Sequence, residues 1–95
     1  MDAKYQMGLL LGAIRDYQDG VMPLGMLVDK VEGILNVIQD KMIKDSFFNT
    51  LLALEEVYAR LQDKSFEFEK DGMPVVDRAL KEMLTKAKTF LTPSV

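Results

Sequence analysis

Tyr17-Gln-Asp-Gly20-Val-Met-Pro23-Leu-Gly-Met-Leu27-Val-Asp-Lys-Val31-Glu-Gly-Ile-Leu35 is the stretch that decides the fold. It reads as a helix end, a short hinge and a new helix start. Gly20 suits the left-handed conformation that closes a helix. Pro23 suits the first turn of the next, where its missing N–H costs nothing. Leu24, Leu27, Val28, Val31, Ile34, Leu35 and Ile38 then recur at helical spacing as one apolar stripe. A shorter echo, Asp71-Gly72-Met73-Pro74-Val75-Val76, precedes Ala79, Leu80, Met83 and Leu84. Two partial copies fall short of a stacked-repeat fold. They read as one helix-entry chemistry used twice.

Outward from the hinge the pattern predicts an all-α, antiparallel four-helix bundle, with helices over about 3–18, 23–39, 45–62 and 74–91. The first carries Met7, Leu10, Leu11, Ile14 and Tyr17 on one face. Asp45 or Ser46 is the expected cap of the third, after a connection or bend over Asp40–Lys44. Phe47, Phe48, Leu51, Leu52, Leu54, Tyr58 and Leu61 make the third helix the broadest apolar surface, hence the expected most buried one. The boundary between the second and third helices is the least defined, because Met42 and Ile43 extend either. Asp63–Gly72 reads as a loop, and Thr92–Val95 as a frayed tail.

The chain has 95 residues, 48% apolar and 28% charged, which predicts a single globular domain over 1–95. It has no cysteine and no histidine. Disulfides, thiolate catalysis, the commonest general base and the commonest transition-metal ligand are therefore excluded. No run of about 18 apolar residues predicts a membrane span, and no signal peptide is expected at the N-terminus. The expectation is a cytoplasmic, non-enzymatic protein without cofactor or metal. Net charge is −3, unevenly spread: residues 1–71 hold eight Lys/Arg against thirteen Asp/Glu, and residues 72–95 four against two. An acidic body argues against nucleic acid as partner and suits a basic protein.

Six carboxylates stand out as partner-binding candidates: Glu55, Glu56, Asp63, Glu67, Glu69 and Asp71. Glu55 and Glu56 are helix neighbours pointing about 100° apart, so they do not share a site. Glu56 lies four residues before Arg60, the spacing of a surface pair. Glu55 falls at the edge of an apolar stripe, where a partner can dock. The other four share a loop with Phe66 and Phe68, whose spacing does not match a calcium loop. Phenylalanines in such a loop either meet a partner or tuck against the core. Met26 and Val37 lie off the stripe of the second helix and suit a second, apolar face.

Tyr17-x-x-Gly20, Met22-Pro23-Leu24, Leu27-Val28, Val31-Glu32 and Ile34-Leu35, followed by a phenylalanine-rich helix with Glu55-x-x-Tyr58, resemble small all-helical bacterial immunity proteins. Those proteins act against contact-dependent growth inhibition toxins and related nuclease toxins of the colicin D type. The resemblance implies a protein that binds one cognate toxin C-terminal domain and blocks its active site or substrate path. It further implies that acidic groups, here drawn from the six candidates, face a basic nuclease cleft. The alternative is a small regulatory adaptor that pairs with a second copy or a partner helix.

Overall fold

The computed structural model describes residues 3–91. Among them four α-helices pack into a bundle: α1 Ala3–Gln18, α2 Leu24–Asn36, α3 Lys41–Arg60 and α4 Met73–Leu91. Each helix lies against two others, closing the ring α1–α2–α3–α4–α1. No strand forms among the described residues. None of the described helices is long and apolar enough to cross a membrane. The tail expected at Thr92–Val95 lies outside the described residues.

One core runs through all four helices. Met7, Leu10 and Ile14 of α1, Leu27 and Val31 of α2, Phe47 and Leu54 of α3, and Val76, Leu80 and Met83 of α4 lose all contact with solvent. Burying each such side chain stabilises the fold by about 1.5–3 kcal/mol before entropy is counted. Phe47 packs its ring 6.2 Å from that of Phe90, tying the start of α3 to the end of α4. Lys86 of α4 reinforces the same end by donating to the Ser46 carbonyl.

The joint after α1 is a Schellman closure. Gly20 sits at φ +79°, its N–H donates to the Tyr17 carbonyl (3.0 Å), and the Val21 N–H reaches back to Asp16 (2.9 Å). Pro23 is the N-cap of α2 rather than its first helical residue, with extended backbone (φ −71°, ψ 160°) and its carbonyl accepting from Leu27 N–H at 3.1 Å. Met22 before this cap and Leu27 four residues after it are both buried, the pattern of a hydrophobic staple.

The second and third helices meet earlier than the pattern predicts. α2 stops at Asn36, and Ile38 enters the core, with its N–H on the Leu35 carbonyl (3.2 Å). Asp40, not Asp45 or Ser46, caps α3: its Oδ1 accepts from Met42 N–H at 2.9 Å and Ile43 N–H at 3.2 Å. The physical reason is order along the chain. Asp40 is the first carboxylate after the docked Ile38, so it reaches free N–H groups one turn before Asp45 can. Ser46, already inside the helix, donates instead to the Ile43 carbonyl (2.7 Å).

The second Asp-Gly segment does not repeat the first. Gly72 has no left-handed φ. It ends a π-helical turn, Phe68–Gly72, that runs straight into α4 and bonds the Met73 N–H to the Phe68 carbonyl. Pro74 supplies the reason: it lacks an N–H and its ring crowds the carbonyl one turn back, which a wider turn relieves. The expectation of one entry chemistry used twice therefore fails. The loop expected over Asp63–Gly72 is irregular only as far as Glu67.

Candidate functional site

The third helix is not the most buried. Its inward side chains are Phe47, Thr50, Leu54 and Val57, while Phe48 (56% exposed), Leu52 (45%) and Tyr58 (49%) face solvent. The apolar surface that the sequence assigns to the core is thus divided. One stripe packs inward and another remains outside, along the seam with α2.

That seam is a groove of about 330 Å³. Its walls are Leu35 with Glu32 and Asn36 from α2, and Phe48 and Leu51 with Lys44, Asp45 and Glu55 from α3. Phe48, Leu51 or Leu52, and Glu55 follow one another at three- to four-residue steps, so they share a ridge of α3. Glu32 stands on the opposite wall. Gly25 at the start of α2 lets the end of α3 come close: a Cβ there would lie 2.9 Å from the Tyr58 ring and hydroxyl. α2 therefore runs opposite to α3.

The six carboxylates singled out from the sequence do not form one site. Glu55 belongs to the α2/α3 groove, half-buried. Glu56 lies on another face, 3.5 Å from Arg60, and shares a smaller recess of about 110 Å³ with Arg60, Phe66, Asp71 and Val75. Both members of that ion pair are well exposed, so it contributes a few tenths of a kcal/mol. Asp63 is engaged locally: its Oδ1 accepts from the Ser65 N–H (2.9 Å) and hydroxyl (2.8 Å). Those bonds, the backbone one foremost, hold its carboxyl below the usual aspartate range, with Arg60 adding a smaller push. Asp71 closes the π-helical turn, accepting from Glu67 N–H at 3.1 Å while its own N–H donates to the Glu67 carbonyl at 2.7 Å. Glu67 and Glu69 are exposed on that turn.

Phe66 and Phe68 are core anchors for this segment rather than exposed contacts. Both are half-buried against the core, and they crowd Gly72 so closely that a Cβ would lie 2.9 Å from each ring and 3.0 Å from Val57. Loop aromatics beside a buried glycine carry that signal in the sequence.

Sequence reasoning reads Glu32 as part of a polar helix face, Asp45 as a cap and Phe48 as part of the buried surface, and does not join the three in one site. Their spacing held a clue. On α2, Glu32 falls on the flank facing α3, and on α3 Phe48 lies about 100° from Phe47, outside the arc of the buried Phe47, Thr50, Leu54 and Val57. No hydrogen bond or ion pair engages the side chains of Glu32, Asp45 or Glu55 among the described residues. No group of three or more metal-ligating side chains converges among those residues.

A second groove, about 420 Å³, lies between α1 and α2 and is lined by Tyr5, Leu9, Lys30, Gly33, Ile34 and Val37 over the buried Gln6. Met26 and Val37, noted from sequence as off the stripe, are exposed. Tyr17, at the α1 closure, has its hydroxyl pKa raised above 10.0 by burial and by the nearby Asp77 carboxylate.

Comparison of the chain with protein-family models, curated proteins and solved structures finds no match. The architecture and surface together define a helical bundle with an acid-flanked apolar groove.

Proposed function

We propose that this protein works by binding another protein, as an immunity protein that neutralises a cognate nuclease-type toxin domain by blocking its active site or substrate path. The observation that supports this reading is the divided third helix: Phe48, Leu52 and Tyr58, two of them aromatic, stay exposed while Phe47, Leu54 and Val57 of the same helix are buried. Exposed aromatic surface rimmed by charge is the usual makeup of a protein-binding patch. The acidic balance of residues 1–71 adds a field that attracts a basic partner. Cytoplasmic location belongs to the same proposal, since the toxins resisted by such proteins act there.

A toxin C-terminal domain encoded beside this gene is predicted, and titration calorimetry against that domain tests the binding. One-to-one binding at nanomolar strength is the expected result. The triple change Glu67→Lys, Glu69→Lys and Asp71→Lys asks whether the acidic turn takes part. Unchanged affinity removes that turn from the contact, whereas absence of any binding by the unaltered chain overturns the function.

A further inference from the structure

We infer that the α2/α3 groove is the contact surface, and that it seats a helix carrying an aliphatic ridge bracketed by arginine or lysine. This rests on the binding function proposed above and names its surface.

The argument is one of charge and occupancy. Three carboxylates line the groove, Glu32, Asp45 and Glu55, against a single ammonium, Lys44. None of the three is held by a hydrogen bond or ion pair, whereas Asp63, Asp71 and Glu56 are engaged in local structure. Asp63 and Asp71 thus shape the chain's own turn and leave only Glu67 and Glu69 of that segment exposed, whereas all three groove carboxylates are available and flank an apolar centre.

Between the groove carboxylates lie Phe48, Leu51 and Leu35, so the centre is apolar and the rim acidic. Asp45 and Glu55 are ten residues apart on one helix, about 15 Å along its axis. A helical partner matches this with cations three turns apart and aliphatic side chains between them, the helix-in-groove mode of recognition. Arginine suits Glu32 and Glu55 because its guanidinium pairs with a carboxylate through two parallel N–H···O bonds. A volume of about 330 Å³ accommodates aliphatic side chains inserted beside the Phe48 ring. The groove between α1 and α2 differs in carrying one cation, Lys30, and no carboxylate. It offers a basic partner nothing.

A probe separate from the toxin tests the surface. The probe is an amidated helical peptide with two leucines one turn apart, flanked on each side by arginine, titrated into the isotopically labelled full chain. Amide shifts are expected at Glu32, Leu35, Asp45, Phe48, Leu51 and Glu55, to weaken in 0.5 M salt as screened charge requires, and to vanish with Phe48→Ala. Phe48 is largely exposed, so that variant keeps its core, and circular dichroism checks it. The same peptide with glutamate for arginine should give no shifts. Shifts centred on Glu67–Asp71 or on the α1/α2 groove, or no shifts at all, overturn the assignment.

The toxin domain gives a second, distinguishable readout. The pair Glu32→Lys and Glu55→Lys should weaken its binding by roughly thirtyfold or more, because it sets like charges against the basic partner. Toxin binding that survives this pair overturns the groove and leaves the function standing. A toxin domain that ignores the unaltered chain overturns the function, while the peptide titration still decides the groove.

Discussion

Asp19-Gly20-Val21-Met22-Pro23 and Asp71-Gly72-Met73-Pro74 look alike on paper and behave differently in the bundle. At the first, glycine is required for its torsion: φ is +79°, and nothing lies within 4 Å of where a Cβ would sit. At the second, the torsion is ordinary and glycine is required for space, because two phenylalanine rings and Val57 close on it. The first glycine ends a helix and lets the chain turn. The second lies within a nearly continuous helical run from Phe68 to Leu91. One residue type thus answers two separate steric demands, and the surroundings decide which.

That contrast is open to attack by substitution. Gly72→Val should be the most damaging change, costing about 3 kcal/mol by overpacking. Chemical denaturation measures it. Adding Phe66→Ala should recover part of the loss, with a coupling of about 1 kcal/mol in the double-mutant cycle. Strictly additive effects would contradict the crowding account. Gly20→Ala should cost about 1–2 kcal/mol, from the left-handed backbone alone. Gly20→Asn should cost less than Gly20→Ala, since asparagine tolerates that conformation. At Gly72 asparagine should fare no better than alanine, and the opposite ranking there would merge the two sites into one chemistry.

A third helix entry sharpens the comparison, for it uses a side chain instead of a glycine. Asp40→Ala should cost about 1 kcal/mol by freeing the Met42 and Ile43 N–H groups. Asp45→Ala, at the cap position expected from sequence, should leave thermal stability within about 0.5 kcal/mol of the parent. The smallest effect belongs to the turn that leads toward Gly72. Because folding lowers the Asp63 pKa below 3.8, its bonds to Ser65 are fully present above that value. They are lost as pH falls through the depressed one. The Ser65 amide resonance should therefore titrate with a midpoint below 3.8. A midpoint at or above 3.8 would remove the bond.

Much of the fold was legible because helical periodicity is a strong local signal. The stripe from Leu24 to Ile38 and the Gly20 closure each follow from residues within a few positions of one another. The start of α3 was less legible, since Asp40, Asp45 and Ser46 are all competent caps and only the docking of Ile38 selects among them. The π-helical turn was hidden, because its cause combines Pro74 with the packing of Phe66 and Phe68 against Gly72.

The surface was the least legible part. Carboxylates were read by their density along the chain, which favours the segment from Asp63 to Asp71. What the segment does with them depends on backbone geometry: Asp63 and Asp71 hold the turn together. Glu32 and Asp45 are ordinary helix-surface acids in sequence, and they join Glu55 only because α2 and α3 pack side by side. Phe48 was assigned to the core along with Phe47, although it lies outside the arc of α3 that turns Phe47, Thr50, Leu54 and Val57 inward.

The function proposed for this bundle is neutralisation of a toxin by occupying it. The most direct measurement is the nuclease activity of the cognate toxin C-terminal domain as the protein is added in increasing ratio. Activity should fall linearly to the background at one equivalent, and the Glu32→Lys, Glu55→Lys pair should need a large excess to reach the same point. Full toxin activity in the presence of several equivalents of the unaltered protein would contradict the claim.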